Sequence, residues 1–101
     1  MTDYQKAAYD IVERYGLMAQ AHPRYADLVS EVGELGKEML KAGHYGSVEI
    51  ITNDAIALEF GDVLFSLAAL ANILGVDMDK AFNAVVNKYD ERFRATGQIG
   101  S

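Results

Sequence analysis

DAIALEFGDVLFSLAALANIL, residues 54–74, decides the fold. Its apolar side chains, Ile56, Leu58, Phe60, Val63, Leu64, Phe65, Leu67, Leu70 and Leu74, spread nearly all round a helix, as expected of one buried on most sides. From Asn53 to Val76 there is no Lys or Arg, yet Glu59 and Asp62 project from this stretch. Burying unpaired carboxylates is costly, so the pair requires cationic partners, a metal ion, or raised pKa values. Thr52 or Asn53 caps the start of the helix and Gly75 ends it.

Working outward, Asp77 caps a following helix from Met78 to about Arg94, whose inner stripe is Phe82, Val85, Val86, Tyr89 and Phe93. Upstream, Pro23 is placed to open a helix that lasts to Ala42, with Gly43 as its stop. Leu28, Val32, Leu35 and Met39 form its apolar stripe, Lys37 and Lys41 point nearly opposite, and Glu31, Glu34 and Glu38 fall between. A first helix runs from Asp3 to about Gln20, with Tyr4, Ala7, Ala8, Ile11, Val12, Tyr15 and Met18 at helical spacing. It is predicted to end before His22-Pro23, because the residue before a proline is pushed from helical dihedrals. His44 to Thr52 reads as a loop, and VEII within it as at most a short extended piece. The expected fold is all-α, a four-helix bundle in a single domain spanning 1–101, with its core at about 3–95 and a frayed tail at 96–101.

Half of the 101 residues are hydrophobic, rich for a small chain that must cover itself in polar groups, so a homo-oligomer joined through helix faces is expected. The net charge of −6 argues against a broad surface for a nucleic-acid polymer, whereas a single nucleotide screened by metal ions stays compatible with it. No cysteine is present, which excludes disulfides, thiolate catalysis and cysteine-ligated zinc. The N-terminus lacks the basic start and apolar core of a signal peptide, and no wholly apolar run reaches the roughly 18 residues of a membrane span. A cytoplasmic protein is the expectation.

The chemistry lies in the acids. Glu31 and Glu34 are three apart, as are Glu59 and Asp62. On a helix that spacing puts Cβ atoms roughly 5–6 Å from one another, so each pair can aim at one ion. Two such pairs face to face make an oxygen-rich cage suited to Mg²⁺, or to Mn²⁺ as a substitute. Lys88 and Arg92, at i and i+4, are the available cations: they either neutralise Glu59 and Asp62 in a structural network or reach the phosphates of a ligand. A di-iron site is unsupported, since His22 and His44 do not follow a glutamate by three, and neither a catalytic triad nor a glycine-rich phosphate loop occurs. Tyr15, Tyr25, Tyr45 and Phe65 are aromatic candidates for stacking on a base, though helical spacing favours core positions for such residues.

The run E31-V-G-E34, a gap of 24 residues, then E59-F-G-D62 with VLFSLAALANILGVD and a closing K88-YDER92, resembles the MazG-type all-α nucleoside triphosphate pyrophosphohydrolases. The similarity covers roughly Pro23 to Arg92; many members carry a glutamate where this chain has Ser30. The resemblance implies four to five helices, a homodimer or homotetramer, and Mg²⁺-dependent cleavage between the α- and β-phosphates of a nucleoside triphosphate. It implies Glu31, Glu34, Glu59 and Asp62 as metal ligands. Glu34 and Glu38 are then the candidates to take a proton from the attacking water, with Lys88 and Arg92 on the phosphates. AHPRYADLVSEVGEL, residues 21–35, further resembles the branch acting on deoxycytidine triphosphate, which makes His22 and Arg24 substrate-binding candidates. The implied role is clearance of unwanted nucleotides from the pool. The alternatives are phosphoribosyl-ATP pyrophosphohydrolase and a catalytically silent helical module that binds a nucleotide or a protein.

Overall fold

The computed structural model describes residues 1–97. Four α-helices follow one another: α1 (Asp3–Arg14), α2 (Ala21–Ala42), α3 (Asp54–Leu74) and α4 (Met78–Thr96), with a single 3₁₀ turn at His44–Gly46. No strand occurs among the described residues, so the all-α expectation holds. α4 runs to Thr96, the first residue of the segment expected to fray, and residues 98–101 of that tail lie outside the described residues.

The caps of α3 and α4 form as the sequence predicts. Asn53 accepts a hydrogen bond from the Ile56 N–H at 2.9 Å, and Asp77 accepts from the N–H groups of Asp79 and Lys80 at 3.0 and 3.3 Å. Gly75 closes α3 in the left-handed conformation at φ +70°, and the Val76 N–H then reaches back to the Ala71 carbonyl.

Two boundaries differ. α1 stops at Arg14, not near Gln20, because Gly16 adopts φ +64° and the Leu17 N–H bonds the Val12 carbonyl at 2.9 Å. That backbone closure is a stop signal in its own right, six residues ahead of the proline that was expected to set the end. α2 begins at Ala21, with Gln20 as its cap, and takes Pro23 as its third residue. The first turn has no intrahelical acceptors for its N–H groups, so a proline there removes nothing.

α3 is the hub. By length and apolar composition it is long enough to cross a membrane, but two acids interrupt it and both α1 and α2 pack against it. The buried core is thin and made of small residues: Ala8 and Val12 from α1, and Ile56, Ser66, Ala68, Ala69 and Ala71 from α3. Small side chains let the helix axes approach closely.

One polar group is buried completely. The Gln5 amide donates to Asn72 Oδ1 at 3.0 Å and to the Val76 carbonyl at 2.7 Å, and accepts from the N–H groups of Thr2 at 3.2 Å and Met78 at 3.0 Å. Asn72 returns a hydrogen bond from Nδ2 to the Gln5 carbonyl at 2.9 Å. α1, the end of α3 and the first residue of α4 are thereby tied at one point.

α4 departs from the expected bundle packing. Every residue from Asp79 to Glu91 is exposed, and Phe82 and Phe93, expected on the inner stripe, are 67% and 54% exposed. Its amphipathic pattern is real, but its own chain does not supply the surface that covers it.

Candidate metal and phosphate site

Glu31 in the middle of α2 meets Glu59 and Asp62 near the start of α3, with one carboxylate oxygen from each lying within 4.8 Å of the others. The helix spacing brings Glu59 and Asp62 together, and the packing of α2 on α3 adds Glu31. The two helices run antiparallel, since Arg24 near the start of α2 shares a cavity with Ala69, Asn72 and Ile73 near the end of α3.

Glu31 and Glu59 are half-buried and Asp62 is exposed. Glu59 Oε2 is shut off from solvent and has no hydrogen-bond partner among the described residues. Its pKa is raised above the ordinary carboxylate range, first by burial and then by the negative charges of Asp62, Glu31, Glu34 and Glu38. An orphaned buried oxygen among converging carboxylates is an unsatisfied demand for a cation. Three hard oxygen donors on two helices fit a divalent ion such as Mg²⁺, with the open side left to water and phosphate.

The remaining site candidates are dispersed. Glu34 is exposed and stands outside the trio, although its charge is felt at Glu59. Glu38 is half-buried, and Lys41 Nζ donates to its Oε1 at 3.2 Å. Lys88 and Arg92 belong to α4, which does not lie along the acidic helices; the Lys88 ammonium sits 5.1 Å from the centroid of the neighbouring Tyr89 ring. His22 is exposed in the first turn of α2.

Arg24 is turned into the fold. It is 8% exposed, one guanidinium nitrogen bonds the Leu17 carbonyl, and another lies 3.9 Å from Asp27. The side chain straps the α1–α2 connection down and borders a cavity of about 70 Å³ with Tyr9, Val12 and Met18, among others. Of the aromatic candidates, Tyr15, Tyr25 and Tyr45 are exposed, whereas Phe65 lines a groove with Tyr4, Ile11 and Gly61 between α1 and α3.

Two residues were missed by the sequence reading, Gln5 and Asn72. Gln5 stands three after Thr2 in a capping-box pattern, and the box forms, but the same amide also bridges to α3 and α4. Asn72 was detectable as a lone amide near the end of an apolar helix.

Comparison with known proteins agrees with this architecture. Residues 21–95 match the MazG nucleotide pyrophosphohydrolase domain. The uncharacterized protein YpjD of Bacillus subtilis (strain 168) is 34% identical over 68 residues, which cover 66% of this chain and 61% of YpjD. This chain therefore spans less than two thirds of that relative. No solved structure matches.

Proposed function

The chain belongs to the MazG nucleotide pyrophosphohydrolase family, and from that premise we propose that it hydrolyses a nucleoside triphosphate to the monophosphate and pyrophosphate. The observation that carries the reading is the convergence of Glu31, Glu59 and Asp62 around an orphaned carboxylate oxygen. These three would hold Mg²⁺, or Mn²⁺ in its place, with Glu34 on the same helix as Glu31 the further candidate ligand. The ion supplies charge neutralisation at the phosphates and acidifies a water.

The chain's own groups do the rest. Glu34 or Glu38 takes the proton as water oxygen bonds to the α-phosphorus, and the α–β bridging bond breaks toward pyrophosphate. Lys88 and Arg92 hold the departing phosphates, Arg92 through its planar fork and Lys88 as a point charge. Because α4 is not laid along the acids of its own chain, the cations come from a second copy. The exposed stripe of Phe82, Val85, Val86, Tyr89 and Phe93 supports a homodimer or homotetramer in which a neighbouring chain covers α4. His22, exposed at the start of α2, is a candidate contact to the substrate. A cytoplasmic enzyme that clears unwanted nucleotides is the biological role these features fit.

The test is product analysis with Mg²⁺ across canonical and modified NTPs, dNTPs and phosphoribosyl-ATP. Monophosphate with pyrophosphate supports the proposal and ranks the bases. Turnover of phosphoribosyl-ATP alone reassigns the substrate. Folded, Mg²⁺-loaded protein that turns over none of them is a silent binding module.

A further inference from the structure

The deepest polar contact in the molecule is far in sequence from every acid of the site. Gln5 is 0% exposed, and both amide hydrogens and both lone-pair directions of its side chain are engaged. Its partners come from three elements: the cap of α1, the closing turn of α3 at Asn72 and Val76, and the first N–H of α4 at Met78. Such a network is worth most when complete, because each group it leaves unpaired is buried.

Among the described residues the body of the chain packs little against α4. Between Leu74 and Met78 the chain reverses through Gly75, and an exposed ion pair joins Asp77 to the α-amine of Met1. Beyond its first turn the helix has no extensive packing inside the chain. The direction in which α4 leaves the body is therefore set within residues 75–78, where Gln5 clamps both the Val76 carbonyl and the Met78 N–H. A small angular error there grows along a helix of 19 residues.

We infer that Gln5 is a positioning residue: its buried amide fixes the take-off angle of α4, and so the place at which Lys88 and Arg92 are presented to the acidic site. The kinetic part of this inference rests on the reading of those two cations as phosphate contacts, whereas the geometric part does not.

The chain has no cysteine, so Lys37→Cys on α2 and Ala84→Cys on α4, both exposed, give a specific pair for spin labels. Diluting the doubly labelled chains into excess unlabelled protein reports the distance within one chain. The native background is expected to show one narrow distribution. Gln5→Met, similar in length but without the amide, is expected to broaden or displace it, and Asn72→Ala, which removes one acceptor and one donor, to do so to a smaller extent. Mn²⁺ affinity at the acids is expected to stay as in the native protein, while KM for the nucleotide rises roughly tenfold or more, since small misplacements of a contact are costly. A Gln5→Met protein that melts at a lower temperature but keeps both distance and KM overturns the inference, leaving Gln5 a stabilising group only. If Gln5→Met does not fold, an unchanged distance in Asn72→Ala overturns it. A shifted distance without any native turnover sustains the geometry and sinks the proposed reaction instead.

Discussion

The α2–α3 pair and α4 carry opposite halves of the proposed site and are held in opposite ways. Glu31, Glu59 and Asp62 are brought together by helices that pack inside one chain, over a thin core in which alanines predominate. Lys88 and Arg92 ride on a helix whose apolar side the chain leaves open. A single chain thus builds the acidic half and only offers the basic half. Each difference between them is open to experiment.

The largest expected effect lies in the acidic half. Glu59→Gln or Asp62→Asn should lower the rate of pyrophosphate release by about 1,000-fold or more, as loss of a cation's several kcal/mol of transition-state stabilisation implies. Without metal, Glu59→Gln should instead raise the melting temperature, because it removes a charge that burial and four neighbouring acids disfavour. Calorimetry with and without Mg²⁺ reads both signs.

The basic half should cost less. Lys88→Ala or Arg92→Ala is expected to reduce kcat/KM by about 10- to 100-fold, the range of one charged hydrogen bond. Mixing Glu59→Gln chains with Arg92→Ala chains then tests the division directly. Recovered activity in the mixture means that the cations act across chains; no recovery, with mixed oligomers verified by mass spectrometry, means that α4 reaches its own acids.

How far the sequence revealed this arrangement can be judged from particular residues. α3 was legible to its ends because Asn53 and Gly75 are local signals, and local signals need no knowledge of the fold. The same logic misplaced the end of α1, where the proline drew attention from Gly16. Spacing put Glu31 and Glu34 on one side of α2, but it does not say which of them α3 will meet, and the structure selects Glu31. Arg24 entered only as a substrate-binding candidate through the resemblance of residues 21–35; its burial depends on the Leu17 carbonyl, supplied by a loop whose path no pattern encodes. The stripe on α4 told that a face is covered, and nothing in a period of 3.6 says by whom.

A smaller effect follows from pH. Glu59 has a raised pKa in the metal-free fold, so the folded state holds its proton more tightly than the unfolded chain does. Stability from this group is full at pH below its unfolded value and declines as pH rises through the folded value. Melting temperatures without metal should therefore fall across that window, and Mg²⁺ should flatten the slope at its upper end while binding more weakly at its lower end.

The smallest effects belong to glycines. Gly33 and Gly61 stand between the paired acids of α2 and α3, and a Cβ added at either meets nothing within 4 Å in its own chain. Taken alone, Gly33→Ala and Gly61→Ala should each stabilise by about 1 kcal/mol through helix propensity. Chemical denaturation checks this, and a loss of stability at either position would show that a second backbone passes close above it.

α4 is 19 residues long, and a helix without tertiary packing has little stability beyond its propensity. In the proposed homo-oligomer its order would depend on how many copies of the chain are present, by simple mass action. Abundance would then be a term in the activity of each molecule: at low concentration the acids stay assembled while α4 lacks the cover of a second copy, and activity per chain rises with concentration. Dilution would then be a gentler and more selective denaturant of this fold than heat.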